Sequence, residues 1–276
     1  MKGILLSTLR LTSVQNTRLK QALKLRQRRG RKQQSRIIID GMRAIHMALQ
    51  AGVEIQELFV ADGDFESAPE DVENLMTSCS GAGVQVCRLA ANLMTRISYG
   101  DHRQQLVATA KRPSTKLDDL VLPNAPLIAV VERVQKPGNV GAMLRSADGA
   151  GVDAVILADG ETDLFNPNVI RASLGTVFTK RVTEATAADV SDWLGQQDLV
   201  TFVARVDGAD DYCDCDFTRG TAVVFGSESD GVSSVWLDQK WRGMRLPMQG
   251  HADSLNVSNT AAVIFYEAYR QRSRNR

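Results

Sequence analysis

The run Leu127-Ile-Ala-Val-Val-Glu-Arg-Val134 constrains this chain more than any other stretch of its 276 residues. It is an apolar segment of strand type, followed at once by Pro137-Gly-Asn-Val-Gly141 and then by a helical pattern carrying Met143, Leu144, Arg145, Ala147 and Ala150. Two more segments repeat the arrangement. Thr221-Ala-Val-Val-Phe225 has the composition of a buried strand and stops at Gly226-Ser-Glu-Ser-Asp-Gly231, where glycines permit a tight turn or close backbone approach to a ligand. Gly243-Met-Arg-Leu-Pro247 is a short strand leading into Ser254-Leu-Asn-Val-Ser258 and a long apolar helix ending near Arg270. Strands that alternate with helices predict an α/β fold, and open α/β sheets bind ligands outside the carboxyl ends of their strands. Asn139 in its turn, Arg145 in its helix, Glu228, Ser254 and Asn256 all follow such ends.

Ser254 and Asn256 lie two apart, a spacing that on a regular helix turns them away from each other. Both face one ligand only at a loop-to-helix boundary, where the helix amides are free. The plainer alternative is that Ser254 is simply the N-cap of the last helix.

Charge is distributed unevenly. Residues 1–36 hold 11 of the 33 Lys and Arg and none of the 32 Asp and Glu, which leaves 22 basic against 32 acidic residues in the remainder. From Arg18 to Arg36 the pattern is helical, with Leu19, Leu23 and Leu25 as an apolar stripe and Lys20, Lys24, Arg26, Arg28, Arg29, Arg31 and Lys32 turned outward. A solvated helix face is the ordinary explanation of a charge run, but a face of one sign repels itself, and a phosphate backbone is its natural counterion.

Residues 36–110 alternate strand-like runs (36–39, 57–61, 84–89, 106–110) with helical segments (41–51, 67–80, 92–98), a small α/β pattern. Residues 111–126, with Pro113, Pro123 and Pro126, have the composition of a linker. The expected organisation is therefore a domain over 1–110, a linker over 111–126 and a domain over 127–276. Cys79, Cys87, Cys213 and Cys215 lack zinc or redox spacing, so free thiols and no metal are expected. His46, His102 and His251 have no partner at metal or nucleophile spacing, and neither a P-loop nor a dinucleotide glycine motif is present. No apolar run spans a bilayer and no signal-peptide core is visible, so a cytoplasmic protein that does not engage membranes is expected.

Pro137-Gly-Asn-Val-Gly141 with Arg145, Gly226-Ser-Glu228 with Gly231, and Leu246-Pro-Met248 with Ser254-Leu-Asn-Val-Ser258 resemble, in order and spacing, the three motifs of the SpoU/TrmH branch of the SPOUT methyltransferases. The segment from Gln15 to Arg43 is similar to the substrate-binding domain that precedes them in many members, although Ile37-Ile-Ile39 stands where the family usually has a Phe-rich strand. The resemblance implies two α/β domains, a small N-terminal RNA-binding domain and a C-terminal trefoil-knot methyltransferase domain. It further implies a homodimer, S-adenosylmethionine bound in the knot, and 2′-O-methylation of RNA ribose, in ribosomal rather than transfer RNA. Carried onto this sequence, it puts the adenosyl group against backbone at Gly226, Leu246 and Leu255, and the chemistry at Asn139, Arg145, Glu228, Ser254 and Asn256. For Leu246 and Leu255 the alternative is ordinary core packing.

The family proposal makes the arginine a general base assisted by a phosphate. Guanidinium, however, keeps its proton to a pKa above about 12. A charged clamp on the phosphate and developing alkoxide is therefore the alternative role for Arg145, with Glu228 orienting it as an ion pair. Arg171, Ser173 and Gly175 resemble a segment on the RNA side of the site, and with Lys20, Lys24, Arg28, Arg29 and Arg31 they are the expected RNA contacts. The rival from another class is a non-catalytic RNA-binding ribosome-assembly factor on the same fold. Its mark would be loss of Arg145 or erosion of the Ser254 cluster, and both are intact. On this reading, removing residues 1–36 weakens RNA binding and flattens its salt dependence together.

Overall fold

In the computed structural model, which describes residues 8–62, 70–98, 106–179 and 181–274, the chain divides into two units, residues 1–113 with 165–179 and residues 114–164 with 180–276. The first unit runs β1 (Thr8–Leu11), α1 (Thr17–Lys24), α2 (Arg28–Gln34), β2 (Arg36–Asp40), α3 (Met42–Gln50), β3 (Ile55–Ala61), α4 (Glu70–Gly81), β4 (Gln85–Leu89), α5 (Ala91–Ile97) and β5 (Leu106–Lys111). Its sheet has the order β1-β4-β3-β5-β2. β4 is parallel to β1 and β3, and β5 is antiparallel to β3 and β2. β1 escapes sequence reading because it is a four-residue edge strand with only Leu11 buried. The start of the expected helix at 67–69, His102 and residues 1–7 lie outside the described residues.

The basic segment is two short helices rather than one, and much of its charge is already neutralised. Asn16 caps α1 by accepting from the Arg18 amide at 2.9 Å, while Leu19, Ala22 and Leu25 enter the core. Acids from downstream strands reach back to it: Arg18 and Arg36 pair with Glu57 at 2.8 and 2.5 Å, and Arg26 pairs with Asp40 at 2.5 Å. Arg31 is 1% exposed, and its Nη1 donates to the carbonyls of Leu25 and Arg26 at 2.8 and 3.1 Å. The expectation that Arg31 and Arg26 face RNA is thus corrected: both tie the α1–α2 junction to the fold. Gly30 is required there, since a Cβ would stand 2.0 Å from the Lys24 carbonyl oxygen. Lys20, Lys24, Arg28, Arg29 and Lys32 are exposed.

The second unit contains β6 (Leu127–Glu132), α6 (Pro137–Ala150) and β7 (Ala154–Ala158), after which α7 (Pro167–Ala172) and the turn beyond it belong to the first unit. It continues with β8 (Arg181–Ala185), α8 (Ala187–Gly195), β9 (Val200–Ala204), β10 (Asp210–Asp211), β11 (Thr221–Phe225), β12 (Arg242–Arg245) and α9 (Val257–Ser273). The sheet order is β10-β12-β9-β11-β6-β7-β8, and every pairing is parallel. Every residue of β6, β7 and β11 is buried, which is why these strands read as unbroken apolar runs. Ile128, Val130, Ile156 and Val224 pack on one face with α8; on the other, Phe225 meets Phe265 of α9 edge to face at 5.5 Å between centroids.

Three local readings change. α6 begins at Pro137, a favoured first helical residue, so Asn139 stands in the first helical turn rather than in a preceding loop. The N-cap of α9 is Asn256, which accepts from the Ser258 amide at 2.9 Å, and not Ser254. Ser173 and Gly175 are interior: the Ser173 hydroxyl donates to the Ile170 carbonyl at 3.0 Å, and a Cβ on Gly175 (φ +89°) would lie 3.0 Å from Ala44 Cα. They pack within the first unit, whereas Arg171 is exposed beside Asn168.

This packing has two testable consequences. Because Leu19, Ala22 and Leu25 are core residues, deleting residues 1–36 unfolds the first unit, so the RNA test needs Lys20, Lys24, Arg29 and Lys32 changed to Gln. Each phosphate that is no longer neutralised lowers the slope of log affinity against log salt by about 0.7 to 0.9, read by fluorescence anisotropy, and an unchanged slope places the RNA grip elsewhere. Glu57 supplies the second test. Burial pushes its pKa up, but hydrogen bonds from Arg18, Arg36 and Thr109 outweigh that and hold it below the ordinary glutamate value. Its stabilisation is therefore present above the ordinary value and lost as the pH falls through the depressed folded one. Glu57→Gln should cost about 2 kcal/mol at neutral pH in thermal melts, with the gap to wild type closing in acid.

Candidate active site

The strand order reverses direction at β6. Chain that leaves β6 goes to β7 and β8 on one side, while β11, β9, β12 and β10 fill the other, and such a switch point opens a crevice at the carboxyl ends. α6 leaves β6 here and carries Asn139 in its first turn. The Nδ2 of Asn139 donates to Glu228 Oε1, in the loop after β11, and its Oδ1 receives a long 3.5 Å hydrogen bond from Nδ2 of Asn256 at the head of α9. Three side chains far apart in sequence are thereby joined at one end of the sheet.

Beside them opens a cavity of about 800 Å3. Gly226, Glu228, Leu246, Ser254, Leu255 and Asn256 all line it. Leu246 is half-buried and Leu255 is 38% exposed, so neither is a core residue. Gly226 is fixed by its own loop: a Cβ would stand 2.2 Å from the Gly231 carbonyl carbon. There Ser227 and Gly231 exchange two backbone hydrogen bonds, at 2.9 and 3.1 Å, with Gly231 at φ +64°.

Arg145 is the exception among the expected residues. It stands six residues beyond Asn139, about 120° away around the helix, is exposed, does not line the cavity and has no hydrogen bond or ion pair among the described residues. The expected ion pair with Glu228 is not formed; Glu228 accepts from Asn139 instead.

Sequence reading passes over the end of β9. The run Val200–Ala204 followed by Asp207-Gly208 carries the same strand-then-turn signal as the other motifs, and its Arg205 and Asp207 line the cavity, paired at 2.5 Å. The hydrogen bond from Arg205 lowers the Asp207 pKa below its ordinary value. Lys136 and Asp253 line the cavity as well. Among the described residues no group of three or more His, Cys, Asp or Glu is placed to hold a metal ion, and no helix is long and apolar enough to cross a membrane. The four cysteines are free thiols; burial pushes Cys79, Cys87 and Cys215 up to about 11.

Comparison with known proteins gives this geometry a context. Residues 126–266 match the SpoU rRNA Methylase family, and residues 16–108 match the MRM3-like substrate binding domain. The chain is 27% identical over 256 residues to a 23S rRNA (guanosine(2553)-2′-O)-methyltransferase of Bacillus subtilis, covering 93% of this chain and 97% of that protein. It is 30% identical over 242 residues to a 23S rRNA (uridine(2479)-2′-O)-methyltransferase of Streptomyces viridochromogenes, covering 85% and 83%. A crystal structure described as an RNA 2′-O ribose methyltransferase superposes with a TM-score of 0.82 at 35% identity, over 96% of this chain and all of that one. The SpoU methyltransferase AviRb of Streptomyces viridochromogenes, solved in complex with the cofactor AdoMet, superposes at 0.84 with 27% identity, over 94% of this chain and 99% of that one. With a match across more than half of its residues, the chain belongs to the SpoU rRNA methylase family and has the trefoil-knot fold of those enzymes.

Proposed function

We infer that the protein is an S-adenosylmethionine-dependent methyltransferase of ribose 2′-hydroxyls in ribosomal RNA. The observation that carries this reading is the junction of Asn139, Glu228 and Asn256 beside a cavity at the carboxyl ends of β9, β11 and β12. The cavity suits the cofactor. Its volume of about 800 Å3 lies within the range of about 300 to 1,000 Å3 usual for small-molecule sites. Leu246 and Leu255 offer apolar flanks for an adenosyl group beside the backbone at Gly226, and the carboxylates of Glu228 and Asp253 favour a ligand that bears positive charge. When bound, the cofactor supplies a methyl group already activated as a sulfonium.

The chain's own residues then have to hold a ribose hydroxyl in line with that methyl group. Asn139, with its amide oriented by Glu228 and Asn256, and the Ser254 hydroxyl at the cavity wall provide donors and acceptors for the ribose. Arg145 works from the exposed side of α6. With no protein partner among the described residues, its guanidinium is available to clamp the target phosphate and to stabilise negative charge as the hydroxyl proton leaves. Lys20, Lys24, Arg28, Arg29 and Arg171 contact RNA backbone, and residues 1–110 and 127–276 act as substrate-binding and catalytic domains. A second copy of the chain covers the exposed face of α9, where Val263, Tyr266 and Tyr269 are 37%, 52% and 51% exposed at helical spacing. A compartment that holds ribosomal RNA is required, and the cytoplasm is the one that fits. The names of the Bacillus and Streptomyces relatives, both 23S rRNA enzymes, support ribosomal over transfer RNA.

Calorimetry on the purified protein should detect S-adenosylmethionine or its demethylated product. Binding of neither, even with RNA present, sinks the enzyme reading. Arg145→Ala should lower methyl transfer by about a hundredfold or more, an order expected for an electrostatic stabiliser, while cofactor affinity holds within about twofold. Arg145→Lys keeps the charge without the planar fork and should recover only part of the rate. Full activity in the alanine variant would remove Arg145 from the chemistry. Mapping 2′-O-methyl positions in total RNA with and without the gene identifies the nucleotide.

A further inference from the structure

Glu132 is the last residue of β6, an interior strand of the seven-stranded sheet, and is fully buried at 0% exposure. Among the described residues no Lys, Arg or His stands within ion-pair distance of it. A buried carboxylate without a counter-ion is costly, and an apolar residue in its place would pack at no such cost. Its two oxygens are engaged elsewhere: Oε2 accepts the backbone N–H of Ser233 at 2.8 Å, and Oε1 accepts the Ser233 hydroxyl at 2.5 Å. Ser233 stands just beyond the loop from Gly226 to Val232, which forms one wall of the cavity and carries Glu228. A second tie lies next to the first, since Arg133 is paired with Asp230 of the same loop at 3.4 Å. Arg133 adopts φ +53°, a left-handed conformation that non-glycine residues seldom take, and this turn leaves Glu132 under the loop while the chain proceeds to α6.

We propose that Glu132 is a positioning residue: through its paired hydrogen bonds to Ser233 it anchors the Gly226–Val232 loop to β6 and so sets Glu228 against Asn139. The register makes this direct. Val131 is paired with Phe225 in the parallel ladder, so Glu132 is level with Gly226, the first residue of the loop. β6 launches the helix that holds Asn139, and β11 launches the loop that holds Glu228. The ladder ends before either side chain, and beyond it the Glu132–Ser233 pair fixes the far end of the loop while the Asn139–Glu228 bond joins its middle to α6. Without the anchor, the loop is held by β11 at its start, by its internal Ser227–Gly231 bridge and by the solvent-exposed Arg133–Asp230 pair, a weaker set of restraints that lets Glu228 shift relative to Asn139.

The test uses the full-length protein with Ser233→Ala, Glu132→Ala and Glu132→Gln, the last of which keeps an acceptor for the Ser233 amide. Hydrogen–deuterium exchange without RNA should rise about tenfold or more at the hydrogen-bonded amides of 227, 230 and 231 in Glu132→Ala, and about threefold in Ser233→Ala, which keeps the backbone half of the pair, while the strands of the sheet keep their wild-type protection. Methyl transfer should lose about tenfold in kcat and some cofactor affinity, KM for RNA should hold, and Glu132→Gln should restore most of both. Should Glu132→Ala unfold, Ser233→Ala, which removes the hydroxyl half of the pair outside the sheet, still answers through its smaller rise. Unchanged exchange in Ser233→Ala, or faster exchange spread evenly across the unit, overturns the proposal and leaves Glu132 a general fold element. The kinetic arm rests on the methyltransferase reading and the exchange arm does not, so a wild-type protein that transfers no methyl group leaves the positioning result readable.

Discussion

The pairing of β6 with β11 is the contact from which the rest of the second unit takes its geometry. Five consecutive residues on each strand are in parallel register, from Leu127 opposite Thr221 to Val131 opposite Phe225. Neither strand is near the other in sequence, so their union draws together two chain segments that leave in the same direction, one into α6 and one into the glycine loop. Parallel strands end together, and the segments leaving them are set side by side. Asn139 and Glu228 meet because their strands stop at one level, and α9 closes the third side as Phe265 seats on Phe225.

The polar junction on this frame is a small network, not a set of isolated groups. Asn139 is both donor to Glu228 and acceptor from Asn256, and Asn256 is at the same time the cap that satisfies the first amides of α9. The orientation of the Asn139 amide is thereby specified by two neighbours from different elements. A change in any of the three residues disturbs the other two.

Much of this is legible in the sequence, for a physical reason. Strands buried on both faces become unbroken apolar runs, so β6 and β11 announce themselves, and the polar residues just after them stand out against those runs. Features that depend on partners distant along the chain are hidden. The basic segment looks unopposed because Glu57 and Asp40 lie on other strands, and Arg31 looks exposed because its acceptors are carbonyls at a helix junction that periodicity does not show. Helix starts shift by a few residues, as where Asn256 rather than Ser254 caps α9, because capping depends on backbone angles and both residue types are good caps. β1 and β9 escape notice, one for its brevity and the other because its cavity-lining turn lies outside the three segments that carry the family resemblance.

The excursion of Phe165–Thr179 into the first unit bears on how the protein is made. In that unit Gly175 sits against Ala44 and Met47, and α7 lies against β2. A ribosome synthesising the chain from its N-terminus delivers residues 1–113 first, but that unit lacks a piece of its interior until residue 179 has emerged. By then β6, α6 and β7 are already outside the exit tunnel. The order of synthesis and the order of completion therefore differ, and the first unit to appear finishes only when the second is under way.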